Sequence, residues 1–148
     1  GASDGSLPDS GQAVSDAIHG IEYLMGLKST RDSQVGILGY SFGASVAIDV
    51  VTEGHSDSLQ AVGLIACPGS ALNNSWLRDS TIPKLLIAGD LDHVVPVEEF
   101  NALSSVMVEP CEVHILRGGD HFLRGHEAEI GLMVGHFFRQ WLIQESGV

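Results

Sequence analysis

The chain has 148 residues, 44% of them hydrophobic and 18% charged, and carries a formal net charge of −12. This length suits one domain over residues 1–148, and the composition is globular rather than disordered or fibrous. Seven scattered Lys and Arg against nineteen Asp and Glu exclude a nucleic-acid partner, since phosphate recognition needs clustered cations.

In chain order, residues 1–8 read as a loop. Residues 10–27 read as an amphipathic helix with Val14, Ala17, Ile18, Ile21, Leu24 and Met25 at helical spacing, capped by Asp9 or Ser10. A polar connector over 28–33 leads to a strand at 34–38 (QVGIL). The segment Gly39-Tyr40-Ser41-Phe42-Gly43 follows, then a helix over 44–53 that ends near Gly54 as a C′ residue. Residues 60–67 (QAVGLIAC) form the next strand. A connection over 68–83 has room for a short turn near Trp76. A strand at 84–89 (KLLIAG) precedes Asp90-Leu91-Asp92-His93.

The spacing then predicts a helix over 96–108, with Glu98 and Glu99 suited to its dipole. A strand at 111–116 (CEVHIL) leads into Arg117-Gly118-Gly119-Asp120-His121-Phe122. A last helix over 126–144 carries Ile130, Met133, Val134, Phe137, Trp141 and Leu142 on one stripe. The strands are nearly continuous apolar runs, not alternating ones, separated by helices. This pattern predicts an α/β fold with a parallel sheet covered on both faces. No run is long and apolar enough to span a bilayer, so no membrane partner is expected. The first residue is Gly1 rather than Met, so the sequence is silent on a leader. Cys67 and Cys111 fall at opposite ends of parallel strands, too far apart to bridge. Two free thiols fit a reducing, cytoplasmic compartment.

The pattern G-x-S-x-G is common by chance, and a Gly-rich turn with a solvated serine is its bland reading. Here it lies between a strand and a helix, the setting of a nucleophile elbow in which both flanking positions need small residues. The later segments supply an acid after a strand, then a histidine after the next strand. Serine, acid, histidine is a known triad order for such sheets. Each candidate lies past the carboxyl end of a strand, where open α/β sheets place ligands.

A serine hydroxyl needs a base to take its proton, and His121 on its Gly-rich loop is the candidate. Asp92 is the candidate orienting acid, with Asp90 its rival two residues away. The backbone N–H of Phe42, at the start of the helix, is the candidate oxyanion donor. A second donor ordinarily comes from a loop after an earlier strand, and no such strand precedes the elbow here. His93 reads as loop-lining, His114 as a packed strand residue, and His126 as a helix-start residue. His19, His55 and His136 read as ordinary helix or surface positions. No metal-ligand spacing such as H-E-x-x-H or C-x-x-C occurs, so neither metal nor cofactor is expected.

On Gly39 to Ala44, Gly89 to Pro96 and Gly119 to Phe122, the chain resembles the α/β-hydrolase superfamily, and within it the small bacterial serine hydrolases related to dienelactone hydrolase. Gly1-Ala2-Ser3-Asp4-Gly5 is similar to the loop after the fourth strand of that family. The resemblance implies a sheet in the order 1-2-4-3-5-6-7-8, of which only the last four strands are present. The chain then reads as a carboxyl-terminal fragment. A natural minimal chain that pairs with another subunit is the alternative.

The implied function is a serine hydrolase of the carboxylesterase type, cleaving an ester, thioester or related acyl bond of a small-molecule substrate. A non-catalytic binding or scaffold protein of the same fold is the alternative. Serine in the elbow disfavours the aspartyl-nucleophile relatives. Dienelactone hydrolases use cysteine there, so their own reaction is not implied. Tyr40, Cys67 and Trp76 are the candidate substrate-binding residues, the last with Leu72 and Leu77 in the longest connection. The first strand is expected at a sheet edge, open to self-association.

Overall fold

A computed structural model describes residues 10–27, 34–55 and 59–143. The elements run α1 (Ser10–Gly26), β1 (Val35–Tyr40), α2 (Phe42–Val50), a π turn (Val51–His55), β2 (Leu59–Ile65), α3 (Gly69–Leu72), α4 (Ser75–Asp79), β3 (Lys84–Gly89), α5 (Val97–Ser104), β4 (Cys111–Leu116) and α6 (Glu127–Leu142). The expected loop over 1–8, its resemblance over 1–5, the Asp9 cap and the connector over 28–33 lie outside the described residues.

The four strands form one parallel sheet in the order β1-β2-β3-β4. Alternate strand residues face opposite ways. Val62, Leu64, Leu86 and Ala88 join Ala44, Ile48, Leu72, Leu77 and Phe100 in one core. Ala61, Ile65, Leu85 and Ile87 join Leu116, Leu123 and Phe137 in the other, packed against α6. A third cluster packs Val14 and Ile21 of α1 against Val46, Val50 and Leu59. Every residue of β3 is buried, which is why its sequence reads as an unbroken apolar run. Lys84 is the exception in chemistry. Its Nζ donates to the carbonyls of Ser80 (2.7 Å) and Ile82 (2.9 Å), and burial pulls its pKa down.

β1 is different. It pairs only with β2 among the described residues, and Leu38 and Tyr40 are 46% and 41% exposed.

Several boundaries differ from the sequence reading. β1 continues through Gly39 and Tyr40, because both residues stay in register with β2 up to the turn. The helix after the elbow gives way to a π turn that includes Gly54, so Gly54 is not a C′ residue. The helix expected over 96–108 stops at Ser104. The connection over 68–83 holds two short helices rather than one turn, and Asn74 caps the second by accepting from Leu77 N–H at 3.0 Å. Parallel strands require such a crossover, which must carry the chain from the carboxyl end of β2 to the amino end of β3. No helix among the described residues is long and apolar enough to cross a membrane.

Candidate active site

Ser41 occupies the turn between β1 and α2 with φ 50° and ψ −114°. Positive φ is unusual for a non-glycine residue and costs of order 1–3 kcal/mol. The turn is fixed by its bonds: Ser41 N–H donates to Ile65 O at 2.8 Å and Ala44 N–H to Ser41 O at 2.9 Å. Gly39 is required, because a Cβ there would lie 2.2 Å from the Gly43 carbonyl oxygen. Gly43 is not required on the same ground, since a Cβ there would meet nothing within 4 Å. The expectation that both flanking positions need small residues therefore holds on one side only. Ser41 makes no side-chain cap to its helix, which leaves its hydroxyl for other use. Phe42 opens α2, where helix geometry leaves the N–H without an intrahelical acceptor and the dipole favours negative charge.

The other half of the site is built over β3 and β4. Gly89 lets the next loop cross it: a Cβ on Gly89 would lie 2.1 Å from Gly119 O. The crossing is held by Leu91 N–H donating to Gly119 O (2.9 Å) and Gly118 N–H donating to Asp90 Oδ1 (2.6 Å). Asp92 Oδ1 accepts from the N–H groups of Val94 (2.8 Å) and Val95 (2.9 Å). Its Oδ2 lies 2.8 Å from His121 Nδ1, and His121 Nε2 lies 2.9 Å from Ser41 Oγ. The Asp92 side chain is fully buried and that of His121 is 16% exposed. Ser41, His121 and Asp92 are thus brought into one hydrogen-bonded line. Asp90, the rival acid, faces Gly118 instead and staples the histidine loop.

The three candidate substrate-binding residues go to three different places. Tyr40 stays at the site. Its hydroxyl donates to the backbone carbonyl of His121, and its ring centroid lies 6.2 Å from the imidazole. Its pKa is raised by burial and by the carboxylates of Asp92 and Asp120.

Cys67 is fully buried in the α2–α5 core, donates to Pro68 O, and has its pKa pushed up to about 12 by burial. It packs the interior and lines no substrate surface. Trp76 lines a depression with Leu59, Gln60, Ser80, Thr81, Ile82 and Pro83, next to the amino ends of β2 and β3. It therefore sits at the opposite end of the sheet from Ser41. Leu72 and Leu77 are fully buried. The reason is topological: by Trp76 the crossover has already left the carboxyl end.

Phe122 stands edge-on to His121 at 6.0 Å, and the Arg124 guanidinium lies 5.0 Å over the Phe122 ring. Away from the site, His114 contacts Glu112 Oε1 at 2.6 Å and His126 contacts Glu129 Oε2 at 3.2 Å. Among the described residues, no group of three His, Cys, Asp or Glu is placed to hold a metal ion. Sequence reasoning missed the stapling role of Asp90 and the Tyr40–His121 bond. The glycines at 89 and 119 were the available signal for a loop crossing. No local pattern announced the tyrosine bond.

The sequence model of the family described as serine hydrolase (FSH1) matches residues 5–125. None of the curated proteins matches the chain significantly. Among solved structures, the chain is similar to dienelactone hydrolase from Anabaena variabilis, with a TM-score of 0.77, 21% identity, and coverage of 91% of this chain and 62% of that one. It is similar to an α/β serine hydrolase without lid from Xanthomonas campestris, with a TM-score of 0.76, 20% identity, and coverage of 97% and 63%. It is also similar to an esterase from Pyrococcus furiosus, with a TM-score of 0.74, 22% identity, and coverage of 97% and 68%. At these identities the likeness shows a shared fold, the α/β-hydrolase sheet with helices on both faces. The chain spans about two thirds of the length of these structures.

Proposed function

This chain belongs to the serine hydrolase (FSH1) family, and from that premise we propose that it cleaves an ester, thioester or related acyl bond through an acyl-enzyme on Ser41. The observation that carries this reading is the unbroken line from buried Asp92 through His121 to Ser41, with bonds of 2.8 and 2.9 Å. Ser41 Oγ attacks the acyl carbonyl while its proton passes to His121 Nε2. Asp92 accepts from Nδ1–H, which selects the tautomer with a free Nε2 lone pair and stabilises the imidazolium. The Phe42 N–H donates to the oxyanion, an interaction of the kind worth about 10²–10³ in rate. The leaving group departs with the Nε2 proton. Water then attacks the acyl-enzyme, gives its proton to Nε2, and the acid is released as Ser41 regains its own. These steps close without a cofactor.

A small-molecule ester is the favoured substrate. The similar protein from Pyrococcus furiosus is an esterase, and that from Xanthomonas campestris is described as lacking a lid. The free Cys67 and Cys111 thiols support a reducing, cytoplasmic setting.

The test is turnover of a panel of p-nitrophenyl esters, thioesters and peptides by the chain and its Ser41→Ala variant. Ester or thioester turnover that disappears in the variant is expected. Turnover unchanged by Ser41→Ala, or none in either protein, would contradict the reading and favour a binding role.

A further inference from the structure

Ser41 follows β1 and His121 follows β4, the two outer strands of the described sheet. Three strand spacings separate them, about 14 Å. The histidine must therefore be carried across the sheet end by its loop, and its imidazole must meet Ser41 and Asp92 together. Such geometry tolerates an error of about 0.5 Å. The near part of the loop is anchored to the end of β3 through Gly118 and Gly119. Asp120 stitches the far part to itself, since its Oδ1 accepts from Phe122 N–H at 2.9 Å and its carbonyl from Leu123 N–H at 3.1 Å. Neither set of bonds fixes His121 relative to β1.

We infer that Tyr40 is a positioning residue for His121: its hydroxyl, bonded to the His121 carbonyl, ties the backbone of the base to the strand end that carries the nucleophile. The inference rests on the proposed hydrolase reading for its catalytic consequence, though not for the tie itself. Tyr40 and Ser41 are adjacent in sequence, so the two bonds from this strand end grip the histidine at different points, one on the main chain and one on the ring. The difference matters after acylation. The serine proton is then gone and Oγ carries the acyl group, so the Ser41–His121 bond no longer helps aim the ring. The Tyr40 bond survives that step, leaving the base aligned for the incoming water. The phenol remains a donor through neutral pH, because burial and the Asp92 and Asp120 carboxylates disfavour its ionisation.

The test is Tyr40→Phe, which removes the hydroxyl and keeps the ring. Two readouts are taken, steady-state kinetics on p-nitrophenyl acetate and hydrogen exchange of the amides from 117 to 123. A lost positioning bond is expected to lower kcat about tenfold without raising KM. It is also expected to speed exchange in that loop while the melting temperature stays within a few degrees. Tyr40 acting as a substrate contact would instead raise KM with kcat intact and exchange unchanged, and that result overturns the inference. Exchange rates equal in both proteins overturn it as well. A wild-type chain that turns over no ester counts against the hydrolase reading alone, since the exchange comparison still decides whether the tie exists.

Discussion

Asp92 follows β3, a strand buried along its whole length, whereas Ser41 follows β1, which pairs on one side only among the described residues. On the acid–base side every residue of β3 is buried, Asp92 accepts two backbone N–H bonds besides the histidine, and the loop is stapled by Asp90. On the nucleophile side Leu38, Tyr40 and Phe42 are each 41–50% exposed, and the elbow depends on a sterically forced turn. The difference teaches that the two halves are ordered by different means. The charged half is held by hydrogen bonds in a desolvated setting, where each is strong and costly to break. The nucleophile is held by backbone geometry, which needs little burial but tolerates no added atom at Gly39.

The largest expected effect separates two aspartates on the ordered half. Asp92→Asn should lower ester kcat by about 10³–10⁴, because the amide favours the wrong histidine tautomer. Asp90→Asn should cost about tenfold or less, since it only loosens the loop. Equal losses would break the assignment. The next contrast is on the nucleophile half. Gly39→Ala should destabilise by about 1–3 kcal/mol, the cost of forcing an atom into a filled space. Gly43→Ala, which meets no atom, should stay within about 1 kcal/mol of the parent. Urea melts of the two variants test this, and similar values would contradict the steric account.

The core beneath the site gives a third check. With its pKa pushed up to about 12 and no exposure, native Cys67 should resist iodoacetamide at pH 8, while urea-unfolded chain is alkylated readily. Quantitative native labelling of Cys67 would show that the core opens.

The sheet edges supply the smallest effect. β4 carries the Glu112–His114 pair, a charged feature of the kind that blunts edges, whereas β1 (VGILGY) carries no charge. We propose that β1 supports self-association. Light scattering should show a concentration-dependent mass, weakened about tenfold by Leu38→Lys. A monomer at every concentration would contradict this.

Much of the fold was legible because β3 is an almost wholly apolar run and β3 and β4 are closed by Gly-Asp and Arg-Gly-Gly, so their ends coincide with composition changes. α5 was read too long because Val106 and Met107 are apolar at helical spacing from Leu103, although the helix ends at Ser104 and the last i→i−4 bond is Ser105 N–H to Asn101 O. The site was legible as an ordered set of candidates, each after a strand. Asp92 was favoured over Asp90 because a side chain that must reach across to the histidine suits the loop better than the strand end, and its Oδ2 lies 2.8 Å from His121 Nδ1. Trp76 and Cys67 were misplaced for want of two facts that chain order does not give. One is how far a crossover has travelled at a given residue, and the other is which side chain at a strand end turns inward. The Tyr40–His121 bond joins residues 81 apart, and no periodicity records such a contact.

The most direct test of the central claim is reaction of the chain with a fluorophosphonate, with the adduct located by peptide mass mapping in the parent, Ser41→Ala and His121→Ala. The account expects one adduct on Ser41, absent in Ser41→Ala and formed at least a hundredfold more slowly in His121→Ala. An unmodified Ser41 in the parent, or labelling undiminished without His121, would contradict it.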